Sequence, residues 1–256
     1  MYSTKEIASL VNVHPNTVRI YEEWKYISPV PRAENGYRVF SELHLFQLQV
    51  ARTAFHCEII QGYSRAKARA IAEASGKSDF KLAFKLAHDY LGHLKQEYQL
   101  ALEAIQLVEQ WLSGNELLSN QTYTQIEVTQ LLNLSPEILR NWERNGLLTV
   151  PRLPNGYRIY TERELNRMKI IRTLRAAHYS MNAILRLINT AEQSKELNIK
   201  EILDTPGEFE DIVTVTDRLI YSLEEAIQKA KEVIQLLEIK NKNDFLLLVD
   251  KSRDAF

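Results

Sequence analysis

Apolar residues fall in short helical patches separated by breaks. Ser3-Thr4-Lys5-Glu6 has the spacing of a capping box, in which the hydroxyl accepts from a free backbone N–H and the Glu reaches back to the cap residue. Ile7, Leu10 and Val11 then share one helical face. The pattern breaks at Asn12, and His14-Pro15 opens a second helix with Pro at the first position, where its missing N–H costs nothing. Two helices about three residues apart predict a helix-turn-helix. The second helix is expected over roughly Pro15–Trp24, with Val18 inward and Asn16, Thr17, Arg19 and Ile20 on other faces. Beyond it, Asn35-Gly36 between alternating β-prone flanks predicts a two-stranded wing, both turn residues tolerating positive φ. Two more helices are expected from Ser41 and Ser64, with Leu45 and Leu48 as core positions.

The whole pattern occurs a second time. Tyr2–Glu22 aligns without gaps on Tyr123–Glu143, with Tyr2/Tyr123, Glu6/Glu127, Leu10/Leu131, Asn12/Asn133, Pro15/Pro136, Arg19/Arg140 and Glu22/Glu143 identical. After one extra residue in the first copy, Val30-Pro31-Arg32 and Asn35-Gly36-Tyr37-Arg38 match Val150-Pro151-Arg152 and Asn155-Gly156-Tyr157-Arg158. The second copy therefore predicts a capping box at Thr124 to Glu127, a helix over Pro136–Arg144 with Leu139 inward, a wing, and helices from Thr161 and Ser180. Leu165, Met168 and Ile171 are its core stripe. A match of this order across a gap indicates duplication.

Each copy is followed by a long amphipathic stretch. Phe84, Ala87, Leu91, Leu94, Tyr98, Ala101, Ile105, Val108 and Leu112 advance in steps of three and four, a heptad seam on a helix about 43 Å long. Ile212, Thr216, Leu219, Leu223, Ala226, Ala230, Val233 and Leu237 repeat the device, widened by Ile220, Ile227 and Ile234. Each seam needs a cover, and the two are expected to cover one another as an antiparallel coiled coil. The expected division is a first module over 1–75, a long helix over 76–112, a linker over 113–122, a second module over 123–190, a connector and second long helix over 191–240, and a tail over 241–256 whose Phe245–Val249 run packs on the bundle.

Composition narrows the function. The chain has 256 residues, 45% of them hydrophobic, with only 8 Gly and 7 Pro, which favours long helices. Net charge is -1, but Lys and Arg outnumber Asp and Glu nine to seven in residues 1–75 and ten to five in 123–190, against nine to fifteen in 191–256. Cys57 stands alone, which excludes an intramolecular disulfide and a multi-cysteine zinc site, and it reads as a small core residue. The six His are scattered, and no phosphate loop or nucleophile motif is present, so neither an enzyme nor a cofactor nor a metal is expected. Trp111 and Tyr221 read as core aromatics rather than an effector site. No leader or membrane-length apolar run is seen, which predicts a cytoplasmic protein.

Arg19 and Arg140, central on the second helix of each helix-turn-helix, have the reach to pair with guanine or clamp a phosphate. The plain alternative is a surface salt bridge, to Glu22 or Glu23 in one copy and Glu143 in the other. Arg19-Ile20-Tyr21-Glu22, Arg140-Asn141-Trp142-Glu143, Gly146-Leu147-Leu148, both Asn-Gly-Tyr-Arg wings and the Tyr-Ser starts of the fourth helices resemble the MerR family of bacterial regulators. The resemblance implies a mainly α chain with two winged helix-turn-helix modules that bind promoter double-stranded DNA, with RNA polymerase as a further partner. It implies DNA contacts from Thr4, His14, Asn16, Thr17, Arg19, Tyr21 and Lys25 and from wing residues Arg32, Tyr37 and Arg38 of copy one. In copy two the corresponding set is Gln125, Ser135, Glu137, Arg140, Trp142, Arg144, Arg152, Tyr157 and Arg158. Copy one departs from the family with Trp24-Lys25-Tyr26-Ile27 in place of a Gly-Leu-Leu-like turn. Glu137 in copy two repels phosphates but suits cytosine N4. The family normally pairs long helices from two subunits; here one chain is expected to act as a covalent pseudo-dimer on unequal half-sites. A protein-interaction scaffold built on repurposed modules is the rival reading.

Overall fold

The computed structural model describes residues 1–55, 63–113, 121–193, 197–206 and 218–253. Cys57, Ile212 and Thr216 lie outside the described residues, as do the side chains of Phe245–Val249. The chain divides into two compact units, Met1–Gln96 with Leu223–Phe256, and Glu97–Ser222. Among the described residues no helix is long and apolar enough to cross a membrane.

The first unit holds α1 (Thr4–Leu10), α2 (Pro15–Glu23), α3 (Glu42–Phe55), α4 (Tyr63–Gly76) and the start of α5 (Phe80–Ser113). Ser3 and Glu6 form the expected capping box, and Ser3 N–H, donating to Glu6, holds its carboxyl below the ordinary carboxylate range. Asn12, at φ +52°, makes the left-handed turn into α2, where His14 Nδ1 accepts from Asn16 N–H at 3.2 Å and Pro15 is the first residue. Ile7, Val18, Phe40, Leu48 and Ile71 are buried. Tyr21 packs edge-on against Tyr26 and Phe55, which are tilted to one another, with ring centroids 5.0–5.8 Å apart. Buried Gln47 joins α3 to two other segments: its Nε2 donates to Ser75 O and to Ser28 Oγ, both at 2.8 Å, and its Oε1 accepts from Ser28 N–H. The backbones there meet so closely that a Cβ on Gly76 would lie 2.1 Å from Lys25 O.

The second unit begins with the remainder of α5 and repeats the module: β1 (Thr122–Tyr123), α6 (Gln125–Leu132), α7 (Pro136–Arg144), β2 (Tyr160–Thr161), α8 (Glu162–Ala176) and α9 (Met181–Gln193). β1 and β2 pair antiparallel, Tyr123 opposite Tyr160, as Tyr2 bridges Phe40 in the first unit. Asn133 takes φ +48° as Asn12 does, and Ser135 Oγ caps α7 by accepting from Ile138 N–H at 3.3 Å. Val128, Leu139, Leu147, Met168, Ile171 and Tyr179 form the core. Leu45 of copy one is half-buried where Leu165 of copy two is buried. Past α9, α10 (Ile199–Asp204) is held by Arg186, which donates to Ile202 O and Leu203 O. Asp204 accepts from the N–H groups of Ile220 and Tyr221 and so caps the start of α11 (Leu219–Arg253). Tyr221, expected in the core, is exposed, and Trp111 is half-buried.

The long helices differ in part from expectation. On α11 the described seam residues Leu219, Leu223, Ala226, Ala230, Val233 and Leu237 are all buried. The helix continues through residues 241–253, the stretch read as a tail. On α5 the buried stripe is Phe80, Ala83, Ala87, Tyr90, Leu94, Ala101, Ala104, Ile105 and Val108, while Phe84, Leu91 and Tyr98 are half-buried and Leu112 is exposed. Within the first unit, Asn241 Nδ2 reaches Phe80 O at 3.4 Å and Lys240 Nζ sits 5.4 Å from the Phe80 ring centroid. The start of α5 therefore lies beside the distal part of α11.

Candidate nucleic-acid interface

Both modules expose polar groups on the second helix of the helix-turn-helix, with the arginine shared and the other residues different. On α2, His14, Asn16 and Arg19 are exposed and Thr17 is half-buried; on α7, Ser135, Glu137, Arg140 and Arg144 are exposed. Thr4 and Gln125, the first residues of α1 and α6, are half-buried. Lys25 is exposed in the turn after α2. Tyr21 and Trp142 are core residues, 9% and 5% exposed, two positions beyond the arginines and so on the other side of the helix, which corrects the expectation that they contact DNA. Their rings pack beneath the helix rather than projecting from it.

Each wing is a short hairpin bridged at Arg32 and Arg38, or Arg152 and Arg158. Its turn differs from the expected form in which both central residues take positive φ. Only Gly36 (φ +78°) and Gly156 (φ +83°) do so. Gly36 N–H donates to Ala33 O, Ala33 N–H donates to Tyr37 O, and Asn35 Oδ1 accepts from Tyr37 N–H. This is the longer hairpin loop, a turn followed by a left-handed Gly, and Leu153–Tyr157 repeats it bond for bond. The geometry aims Tyr37 and Tyr157 into solvent, 75% and 73% exposed, and the fold does not use either ring. Arg32 and Arg152 are exposed and brace the turn by donating to Gly36 O and Gly156 O.

The second wing arginine of each copy faces inward. Arg38 Nε pairs with Glu22 Oε2 at 2.5 Å, and Arg158 donates to Glu143 Oε2 through Nη2 at 2.7 Å and Nε at 3.1 Å. Glu143 Oε1 also takes Arg152 at 3.2 Å. These links tie wing to helix, and they use the carboxylates that the sequence offered to Arg19 and Arg140. Arg140 instead stands 3.9 Å from Glu137. Glu137, Arg140, Glu143, Arg144 and Arg158 line an open cleft of about 490 Å³ between α7 and the wing. The sequence reading missed the two-way partnership, although Glu22/Glu143 and Arg38/Arg158 were both identical between the copies and of opposite charge. No group of three or more His, Cys, Asp or Glu side chains able to hold a metal occurs among the described residues.

The profile of the MerR HTH family of regulatory proteins matches residues 2–60 and 123–191, together half of the chain. The chain belongs to the MerR family. It is 23% identical over 117 residues to the mercuric resistance operon regulatory protein of Bacillus cereus, covering 43% of this chain and 88% of that protein. It is 24% identical over 102 residues to the HTH-type transcriptional regulator CueR of Escherichia coli O6:H1, covering 37% and 76%, and to CueR of Salmonella typhi, covering 37% and 74%. No solved structure gives a significant match. The departure of copy one from the MerR-type Gly-Leu-Leu turn is one of residue and not of backbone. Lys25 takes φ +61° where Gly146 takes +75°, Lys25 N–H bonds Glu22 O as Gly146 N–H bonds Glu143 O, and Tyr26 and Ile27 are buried like Leu147 and Leu148.

Proposed function

We propose that this chain is a sequence-specific transcription regulator that binds double-stranded DNA through both modules, with one molecule acting as a covalent pseudo-dimer on an asymmetric operator. The observation that carries the reading is that each module exposes both a wing-tip tyrosine, Tyr37 or Tyr157, and a recognition-helix arginine, Arg19 or Arg140. Arg19 and Arg140 read base edges or clamp phosphates in the major groove, and Tyr37, Tyr157, Arg32 and Arg152 grip the flanking backbone. His14 and Ser135 contribute through the caps that fix the helix starts. Asn16, Thr17 and Lys25 in one module, and Glu137 and Arg144 in the other, give the two half-sites different chemistry. Thr4 and Gln125 place the first N–H groups of α1 and α6 toward phosphate. Tyr21 and Trp142 act by packing. The two long helices pair antiparallel along their seams and do what two subunits do in a homodimer. Regulation operates at a promoter with RNA polymerase, in the cytoplasm, and the protein is not an enzyme.

Replacing both arginines, Arg19→Ala with Arg140→Ala, removes one principal base or phosphate contact from each half-site. Each is worth roughly 1–3 kcal/mol, so affinity for a selected duplex drops by about a hundredfold or more. Fluorescence anisotropy at fixed salt reads the change. Unaltered binding would remove Arg19 and Arg140 from the interface, and a wild-type chain that binds no duplex would exclude the reading and favour a scaffold.

A further inference from the structure

Glu22 and Glu143 are out of place on a surface built to meet phosphates. Each is the next-to-last residue of its recognition helix, α2 or α7. A carboxylate there opposes the negative end of the helix dipole and also repels an incoming duplex. Both copies nevertheless carry it, and in both it turns toward the wing and not toward solvent: Glu22 to Arg38 at 2.5 Å, and Glu143 to Arg158 at 2.7 Å. All four side chains are 20–26% exposed, so water screens the pairs less than it would screen surface ions. The wing's other described bonds lie within the hairpin or at its base, where Tyr2 meets Phe40 and Tyr123 meets Tyr160, and its tip residues are exposed. The Glu–Arg pair is thus the described side-chain link from wing to recognition helix.

We propose that Glu22 and Glu143 are positioning residues for DNA recognition: each fixes its wing against its recognition helix through Arg38 or Arg158, so that helix arginine and wing tyrosine reach one duplex in register. The proposal rests on the DNA-binding reading. It moves Arg38 and Arg158 from phosphate ligands to struts. The second module is held more firmly than the first, because Glu143 also takes Arg152 at 3.2 Å.

The test separates positioning from simple charge by the sign of the effect. A duplex selected from a random pool by the wild-type chain is compared with a scrambled duplex of equal length, at one salt concentration. Glu22→Gln and Glu143→Gln each delete a negative charge near DNA, so a mere surface charge would give tighter binding to both duplexes. Positioning gives the opposite for the selected duplex, a loss of about tenfold, with scrambled-duplex affinity unchanged or higher. Glu22→Asp and Glu143→Asp keep the charge and withdraw the carboxylate by one methylene, and they lower the same ratio. They decide the matter should a Gln variant fail to show a native melting transition. A ratio of selected to scrambled affinity equal to wild type overturns the proposal. A wild type that shows no preference between the duplexes overturns the DNA-binding reading itself.

Discussion

Lys25 and Gly146 show how one backbone requirement is met by two different residues. The turn after the recognition helix needs a left-handed residue, at φ +61° in the first module and +75° in the second. Glycine adopts this conformation freely, whereas a residue with a Cβ loses about 1–2 kcal/mol there, partly offset by the greater chain entropy of glycine when unfolded. At Gly146 space is not the constraint, since an added Cβ would meet only Leu185 Cδ1 at 3.9 Å. Gly146→Ala is therefore expected to cost about 1 kcal/mol through backbone conformation alone. Lys25→Gly is expected to gain up to about 1 kcal/mol. Urea unfolding of the two variants checks both signs. The lysine also places a cation beside the recognition helix, so the same Lys25→Gly change should weaken DNA binding while it strengthens the fold. A residue that keeps backbone strain in one copy and lacks it in the other is consistent with a role outside folding.

At the scale of elements, α3 and α8 start with the same bond made by different chemistry. Thr161 N–H donates to Glu164 at 2.9 Å, and at the matching position Ser41 N–H donates to His44 Nδ1 at 2.9 Å. The accepting nitrogen must be unprotonated, so Nε2 carries the hydrogen and faces Pro29 O at 3.4 Å. Burial lowers the His44 pKa from 6.5 against the opposing pull of Pro29 O and Glu22. Just below pH 6.5 the unfolded chain thus holds more protons than the folded one. The contribution of His44 is complete above about pH 6.5 and declines as the pH falls toward its folded value. Denaturation midpoints across pH 5–8 should show this decline in the wild type, and His44→Glu, which copies the second module, should remove it. The sequence made the repeat, the caps and the α11 seam legible because each depends on near neighbours. The α5 seam was half legible. Ala87, Leu94, Ala101, Ile105 and Val108 are buried as read, but Ala83, Tyr90 and Ala104 are buried too, whereas Phe84, Leu91 and Tyr98 are only half-buried. Heptad reading ranks positions by apolar size, so the small Ala83 and Ala104 are passed over, and Tyr90 is passed over for its apolar neighbour Leu91. The wing latch was hidden for a related reason. It joins residues 16 and 15 positions apart across a turn, and only the pairing of opposite charges between the two copies pointed to it.

For the whole molecule, the consequence of carrying two modules in one chain is a change in the order of the binding reaction. A regulator assembled from one-module subunits must dimerise before it can use both half-sites, so its apparent affinity falls when the protein is diluted below its dimer dissociation constant. Here the second module is already tethered when the first engages, at an effective concentration set by the connection and not by dilution of the protein. Occupancy of a single operator should therefore follow a simple hyperbola in protein concentration, with one chain per duplex in native mass spectra and no dimer at nanomolar concentration. An obligate dimer there would place both modules of each chain in a larger symmetric assembly and defeat the pseudo-dimer. The recognition helices make an independent demand. Two-fold symmetric proteins select palindromes because the same residues meet both half-sites. The first helix offers His14, Asn16, Thr17 and Ile20 where the second offers Ser135, Glu137, Ile138 and Asn141. Glu137 alone is enough to distinguish them: a carboxylate only accepts, as from cytosine N4, and repels phosphate, whereas Asn16 at the matching position is neutral, both donates and accepts, and suits adenine N6 and N7. Selection from random duplexes should return two unlike half-sites in a fixed order. Glu137→Asn should move the second half-site toward the first and leave the first unchanged. A perfect palindrome from the wild-type chain would mean that a single type of module, from two molecules, makes all the contacts.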